Sequence, residues 1–263
     1  MTKLADKVVW ITGASSGIGE ALAVLSSQLG AKLVLSARRE GELQRVRAAC
    51  ANPSKVAVLP LDLTDFDANS AAAAAAAFFG PVDILVNNAG ISQRGLLKDT
   101  EMAVYRRILE LDFFATVALT KALLPSMIER KAGHLVVISS VVGKFGAPLR
   151  TGYSAAKHAL QGFYDAARAE IWRDGIKVTL VCPGYIQTQV SVNAITADGG
   201  KHGKMDKGQT GGMPAVDCAA AIVRAIEANR EEVLIGMREA VFVKIKQYAP
   251  RLFSAMIKRA NPN

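Results

Sequence analysis

Val8-Val9-Trp10-Ile11-Thr12-Gly13-Ala14-Ser15-Ser16-Gly17-Ile18-Gly19 lies near the start of this 263-residue chain, and its reading decides the fold. The unbroken apolar run Val8–Ile11 reads as a strand buried on both faces. The glycines that follow permit a tight turn and let the backbone approach a phosphate without a Cβ in the way. A helix opens at once after them. Strand, Gly-rich turn and helix N-terminus together present free N–H groups and a partial positive charge to a pyrophosphate. Glycine spacing alone would fit a plain turn equally well, but the flanking strand and helix favour a dinucleotide cradle.

Outward from that stretch, short apolar runs alternate with longer helical stretches. After Val8–Ile11 come Lys32–Ser36, Val56–Leu59, Ile84–Val86, Leu135–Ile138, Val178–Val181 and Val233–Ile235. The runs are continuous, as parallel strands covered on both faces should be. The expected fold is α/β: a single-domain, Rossmann-type doubly wound parallel sheet of about seven strands with helices on both faces. With 51% hydrophobic residues the chain can bury a sizeable core. Ala71–Ala77 reads as a plain helix, because alanine is the best helix former. The stretch 188–214 holds Gly199, Gly200, Gly203, Gly208, Gly211 and Gly212 with Lys201, Lys204 and Lys207 between them. It is too long for an ordinary connection and reads as a mobile lid within a catalytic domain of residues 1–236.

The net charge of +9 suits an anionic ligand or an acidic membrane surface. No basic run is interleaved with aromatics, so no nucleic-acid partner is expected. Cys50, Cys182 and Cys218 are odd in number and form no Cys-x-x-Cys pair, which fits reduced thiols in the cytoplasm and no metal site. The first residues enter a strand and then glycines, so they do not read as a signal peptide. No unbroken apolar run of about 18 residues marks a membrane span.

An acidic residue after the second strand would bind the ribose hydroxyls of NAD. Ser36-Ala37-Arg38-Arg39 stands there instead, and a guanidinium fork suits the 2′-phosphate of NADP(H). Tyr153 and Lys157 are spaced i and i+4, which places them on one helix face. A nearby ammonium favours the phenolate form of a tyrosine and brings it into range for proton exchange.

Taken together, these residues resemble the short-chain dehydrogenase/reductase family. The likeness rests on Thr12-Gly13-x-x-x-Gly17-x-Gly19, Asn87-Asn88-Ala89-Gly90, Tyr153-x-x-x-Lys157 and Pro183-Gly184, in that order, and spans about Lys7 to Gly236. The resemblance implies hydride transfer between a nicotinamide and a carbonyl or secondary alcohol, with Tyr153 as general acid/base. It implies that Ser140, thirteen residues before Tyr153, polarises the carbonyl, with Ser139 as a structural neighbour. Lys157 would also bond the nicotinamide ribose. The implied cofactor contacts are Gly13, Ser15, Ser16, Gly17, Ile18, Gly19, Arg38, Arg39, Asp62, Leu63, Asn88, Ala89, Gly90, Tyr153, Lys157, Pro183, Gly184, Ile186 and Thr188. One position departs from the family. Asp112 stands where an asparagine is usual, in Leu111-Asp112-Phe113-Phe114. The family residue anchors a relay water largely through its main-chain carbonyl. An aspartate keeps that carbonyl and adds a charge near Lys157, so an altered proton relay is expected.

The substrate pocket is expected near Ser92, Gln93, Val141–Arg150 and Gly184–Val192, with an apolar lining. Arg94, Lys144, Arg150 and the lid lysines are expected to ring its mouth. The segment from Pro183 to Gly199 resembles the member-7B-like subgroup of the family. That implies a lipophilic carbonyl substrate such as an acyl- or alkyl-dihydroxyacetone phosphate. A homodimer or homotetramer is expected. Two other readings are a non-catalytic, cofactor-binding regulatory protein and a sugar-nucleotide epimerase or dehydratase. The latter wants a substrate domain after the seventh strand, which this chain does not supply. In the tail, 237–263, Val241, Ile245, Tyr248, Leu252 and Met256 follow helical spacing among basic residues, and Pro250 should split the helix. Its apolar stripe is expected to pack on the domain or a second subunit, or to lie on an anionic membrane.

Overall fold

The computed structural model describes residues 2–259. Seven strands form one sheet: β1 (Val8–Thr12), β2 (Lys32–Ser36), β3 (Val56–Val58), β4 (Ile84–Asn87), β5 (Gly133–Ile138), β6 (Ile176–Pro183) and β7 (Glu232–Ile235). Their spatial order is β7-β6-β5-β4-β1-β2-β3. All neighbours pair in parallel, with Trp10 flanked by Val34 on one side and Leu85 on the other. All seven apolar runs became strands, because residues such as Trp10, Leu33, Leu85 and Leu135 are buried on both sheet faces.

Helices cover both faces. They are α1 (Gly17–Gln28), α2 (Glu40–Ala49), α3 (Ala68–Phe79), α4 (Met102–Leu109), α5 (Ala115–Glu129), α6 (Thr151–Ile171), the single turn α7 (Lys207–Thr210), α8 (Ala215–Glu227), α9 (Met237–Tyr248) and α10 (Pro250–Arg259). One face buries Leu22 and Ala23 of α1, Leu43 and Val46 of α2, and Ile222 and Ile226 of α8. The other buries Ala75 of α3, Leu119 and Met127 of α5, and Leu160 and Tyr164 of α6. The alanine tract forms most of α3, capped by Asp67, whose carboxylate accepts from the Ser70 N–H at 2.7 Å. A five-residue π turn, Glu110–Phe114, joins α4 to α5. By length and composition the continuous helix Met102–Glu129 could cross a bilayer. Here Ala115, Leu119, Leu123 and Met127 bury one side of it against the sheet.

One expectation needs correction. The stretch 188–214 is folded rather than loose. Ile195–Thr196 pairs with Gln93–Arg94, and Met213–Pro214 pairs with Ile186–Gln187. Ser191 and Ala194 are fully buried. In the tail, Pro250 divides the helix as expected, and of the stripe Val241, Ile245, Tyr248, Leu252 and Met256 only Ile245 packs on the domain. Phe253 is the buried residue, stacked on Phe145 with ring centroids 5.2 Å apart. Val243, Ile245 and Ile257 pack beside it, while Val241, Tyr248, Leu252 and Met256 remain exposed. Pro250 shifts the phase of the second helix, so one stripe cannot serve both halves. Residues 260–263 lie outside the described part.

Candidate active site

Strand order reverses between β1 and β4, and the crevice at such a switch point, beyond the carboxyl ends of the strands, is where ligands bind in this architecture. A cleft of about 630 Å³ opens there. Gly13 and Gly17 stand at φ +63° and +60°, a conformation that side-chain-bearing residues rarely adopt. A Cβ on Gly19 would come within 2.4 Å of the Gly13 carbonyl. Asn88 locks the turn, its side-chain amide donating to the Thr12 and Gly13 carbonyls at 2.9 and 3.2 Å. Thr12 Oγ1 in turn accepts from the Asn88 and Ala89 N–H groups at 3.0 and 3.1 Å. The result is a rigid, side-chain-free cradle before the N-terminus of α1, which fits a dinucleotide pyrophosphate.

Gly13, Ser15, Ser16, Gly17, Ile18, Arg38, Arg39, Asp62, Leu63, Asn88, Ala89, Gly90, Ser140, Tyr153, Lys157, Pro183, Gly184, Ile186 and Thr188 all line the cleft. Gly19 does not, because it supports the turn from behind. Asp112 lies beneath the floor and is fully buried. At the far end, Arg38 and Arg39 are exposed at the start of α2. Neither pairs with a carboxylate among the described residues. Asp62 closes a turn, Oδ1 accepting from the Thr64 N–H at 3.0 Å and its hydroxyl at 2.7 Å. Those bonds, with Arg38 and Arg107 nearby, hold its carboxyl below the usual range.

At the other end, α6 carries Tyr153 and Lys157 on one face. The Lys157 ammonium lies 5.4 Å from the Tyr153 ring centre. It donates to the Ile138 carbonyl at 3.1 Å and meets Asp112 Oδ2 at 3.2 Å. Burial works against that ammonium, but the neighbouring Asp112 and Tyr153 outweigh it and raise the lysine above its usual pKa. Ser140 leaves β5 in extended conformation, accepts from the Val142 N–H at 3.3 Å and donates to the Pro183 carbonyl at 3.2 Å. Ser139 points the other way. It donates to the Lys157 carbonyl at 3.1 Å and accepts from Gln161 at 2.9 Å.

A family model described as short chain dehydrogenase matches residues 7–198. The chain belongs to the short-chain dehydrogenase/reductase family. Its relatives include a Dehydrogenase/reductase SDR family protein 7-like of Anopheles gambiae, 46% identical over 97% of this chain and 83% of that protein. Another is Dehydrogenase/reductase SDR family member 7B of Mus musculus, 45% identical over 95% of this chain and 80% of that protein. Among solved structures, a short-chain dehydrogenase from Streptomyces avermitilis shares 30% identity over 97% of both chains, with a TM-score of 0.82. A short-chain dehydrogenase/reductase from Burkholderia phymatum, solved in complex with NAD, shares 25% identity over all of this chain and 98% of its own, with a TM-score of 0.84. Membership makes this protein an oxidoreductase that binds a nicotinamide cofactor.

For this family member, the expected ring of positive charge does not form. Arg94 and Arg150 are buried and clamp Asp206 of the lid, Arg150 at 2.9 Å. Lys144 pairs with Glu232. Of the lid lysines only Lys201 lines the cleft. Ser92 and Gln93 are buried behind it. Val141, Val142 and Phe145 cluster with Phe253 of the tail instead of facing the cleft, and the Tyr153 ring packs against that cluster. Sequence reasoning missed Arg107 and Leu111 near the Asp62 end, and Asn193 and Gln209 of the lid. No motif marks them.

Proposed function

We propose that this chain is an NADPH-dependent reductase of a lipophilic carbonyl compound, or the corresponding alcohol dehydrogenase in reverse. One observation carries the reading. One cleft has Ser140, Tyr153 and Lys157 at one end and, at the other, Arg38 and Arg39, two guanidiniums that form no salt bridge among the described residues. Cationic side chains at a helix N-terminus oppose the helix dipole, and a 2′-phosphate between them and the α2 amides would relieve that. NADP(H), when bound, supplies or accepts the hydride. The Ser140 hydroxyl turns from the Pro183 carbonyl to the substrate oxygen and polarises it. Tyr153 gives its phenolic proton to that oxygen in reduction and takes it back in oxidation. Lys157 stabilises the phenolate left behind. Ile186, Val190 and Ile195 offer an apolar wall to the substrate, and Lys201 a cation at its edge.

The reading extends to partners. Exposed Phe114 of the π turn and Ile128 of α5 suit a homodimer or homotetramer. The exposed apolar residues of α9 and α10, flanked by lysines and arginines, suit peripheral contact with an anionic membrane from a cytoplasmic location. The deciding experiment follows NADPH absorbance with a panel of long-chain ketones and aldehydes, with Tyr153→Phe as control. Wild type should oxidise NADPH, and the variant should bind NADPH but lose turnover by at least about a hundredfold. Cofactor binding without turnover on any carbonyl would favour the regulatory reading instead. Turnover retained in Tyr153→Phe would remove Tyr153 as the acid.

A further inference from the structure

We infer that Glu239, at the start of the tail, is a positioning residue for the hydride-transfer end of the cleft: its carboxylate holds the Gly184–Tyr185 turn in place for the nicotinamide, a role that rests on the proposed seat of that ring beside Tyr153. The chain returns to the site after β7. Gly236 caps α9 at φ +119°, a backbone conformation that residues with side chains rarely adopt. Glu239, in the first turn of α9, is thereby brought back to the end of β6. Its Oε1 accepts from the Tyr185 N–H at 3.1 Å. The rest of the side chain packs against two glycines. A Cβ on Gly184 would stand 2.5 Å from Glu239 Cδ, and one on Gly236 2.7 Å from Oε2. A side chain at either position would displace the carboxylate.

The turn that Glu239 holds touches the cleft on one side and the lid on the other. Gly184 lines the cleft with Pro183, Ile186 and Thr188, and the Pro183 carbonyl accepts from the Ser140 hydroxyl at 3.2 Å. Tyr185 faces the lid. Its carbonyl accepts from the Met213 N–H at 2.9 Å, and a Cβ on Gly208 would lie 2.7 Å from its ring. The Arg150 guanidinium stands 6.0 Å from the centre of the same ring. A backbone N–H given to a carboxylate makes one of the stronger hydrogen bonds. A turn fixed before the cofactor arrives loses less freedom on binding it. That advantage belongs to the nicotinamide half alone, because the cradle of Gly13–Gly19 and the Arg38 end are held by other contacts. Phe253, stacked on Phe145, anchors the tail separately. Loss of the carboxylate should therefore free the turn without detaching the tail.

The test needs no substrate and separates the two halves of the cofactor. Affinities for NADPH and for 2′,5′-ADP, which lacks the nicotinamide half, are measured by calorimetric titration of the full chain and of Glu239→Ala. The variant should weaken NADPH by about fivefold or more and leave 2′,5′-ADP within about twofold of wild type. Glu239→Gln, whose amide oxygen can still accept from the Tyr185 N–H, should recover most of the loss. If wild type prefers NADH, the same comparison is made with NADH and AMP. Equal weakening of both ligands, weakening of neither, or a glutamine no better than the alanine overturns the inference. Should Glu239→Ala fail to fold, Glu239→Asp withdraws the acceptor by one methylene group and carries the same expectation. Hydrogen exchange across 207–213 should quicken in the alanine variant and not in the glutamine variant, at an unchanged melting temperature. A split between the two ligands in a chain that reduces no carbonyl would leave the role of Glu239 standing and sink the reductase reading. Matched losses in an active reductase would do the reverse.

Discussion

Arg38 stands where an acidic residue would select the unphosphorylated ribose, and it forms no salt bridge among the described residues, although Asp62 lies near enough to feel its charge. A charge-assisted bond to a 2′-phosphate contributes about 1.5–3 kcal/mol, so Arg38→Ala should weaken NADPH more than about tenfold and leave NADH nearly unchanged. Fluorescence titration of both cofactors measures this, and equal affinities in wild type would refute the phosphate role. Single residues were legible where local spacing carries the chemistry. Tyr153 and Lys157 share a helix face by their spacing alone, and Gly13 and Gly17 announce a turn by having no side chain. Arg94, Arg150 and Lys144 were misplaced at the mouth because their partners lie 112, 56 and 88 residues away. No local pattern reveals a pairing of that range. The same holds for Asp112, whose sequence context shows a charge but not that Ile91 and Lys157 hold it from two sides.

The strands and main helices were legible because burial on two faces writes continuous apolar runs and long crossovers. The stretch 188–214 was not, because its glycines suggested a bare loop while short strand pairings and one buried acid hold it. Asp206 joins the lid to two elements at once: Arg94, just past β4, and Arg150, at the start of α6. All three residues are buried. Burial disfavours the Asp206 carboxylate, but the two guanidiniums outweigh it and hold its pKa below the usual value. Removing one member of such a group strands the others, at a cost of about 3–5 kcal/mol. Asp206→Ala should therefore lower thermal stability markedly, and hydrogen exchange across 189–212 should quicken. Protection unchanged in that segment would show that the lid is held by its apolar contacts alone. The pH sign follows from the depressed value. The clamp is complete above the unfolded carboxylate's pKa of about 3.9 and is lost as pH falls through the lower folded value. The lid should thus open before the sheet only in strong acid.

Across the whole molecule the charge is +9, and the tail concentrates part of it beside exposed apolar side chains. Tyr248, Leu252 and Val241 are 77%, 56% and 54% exposed, with Lys244, Lys246, Arg251, Lys258 and Arg259 among them and Glu239 the nearest acid in the helices. Glu239 is itself engaged, accepting from the Tyr185 N–H at 3.1 Å. The tail is thus built from two sides. Phe253 and Glu239 tie it to the wall of the active site, and the opposite side offers apolar residues with a positive flank. Anionic lipid complements that flank, and contact there would bring a lipophilic substrate close to the cleft. Deleting the tail is a poor test, because it would strip Phe253 from Val141, Val142 and Phe145. The better variant is Leu252→Glu with Met256→Glu, at exposed positions where the fold loses little. Wild type should sediment with vesicles containing phosphatidylserine at low salt. It should release as salt rises and the screening length falls to about 8 Å near 0.15 M. The double variant should stay in solution while its melting temperature is unchanged. If wild type ignores the vesicles but forms dimers that the same two substitutions dissociate, the face belongs to a second copy of the chain instead.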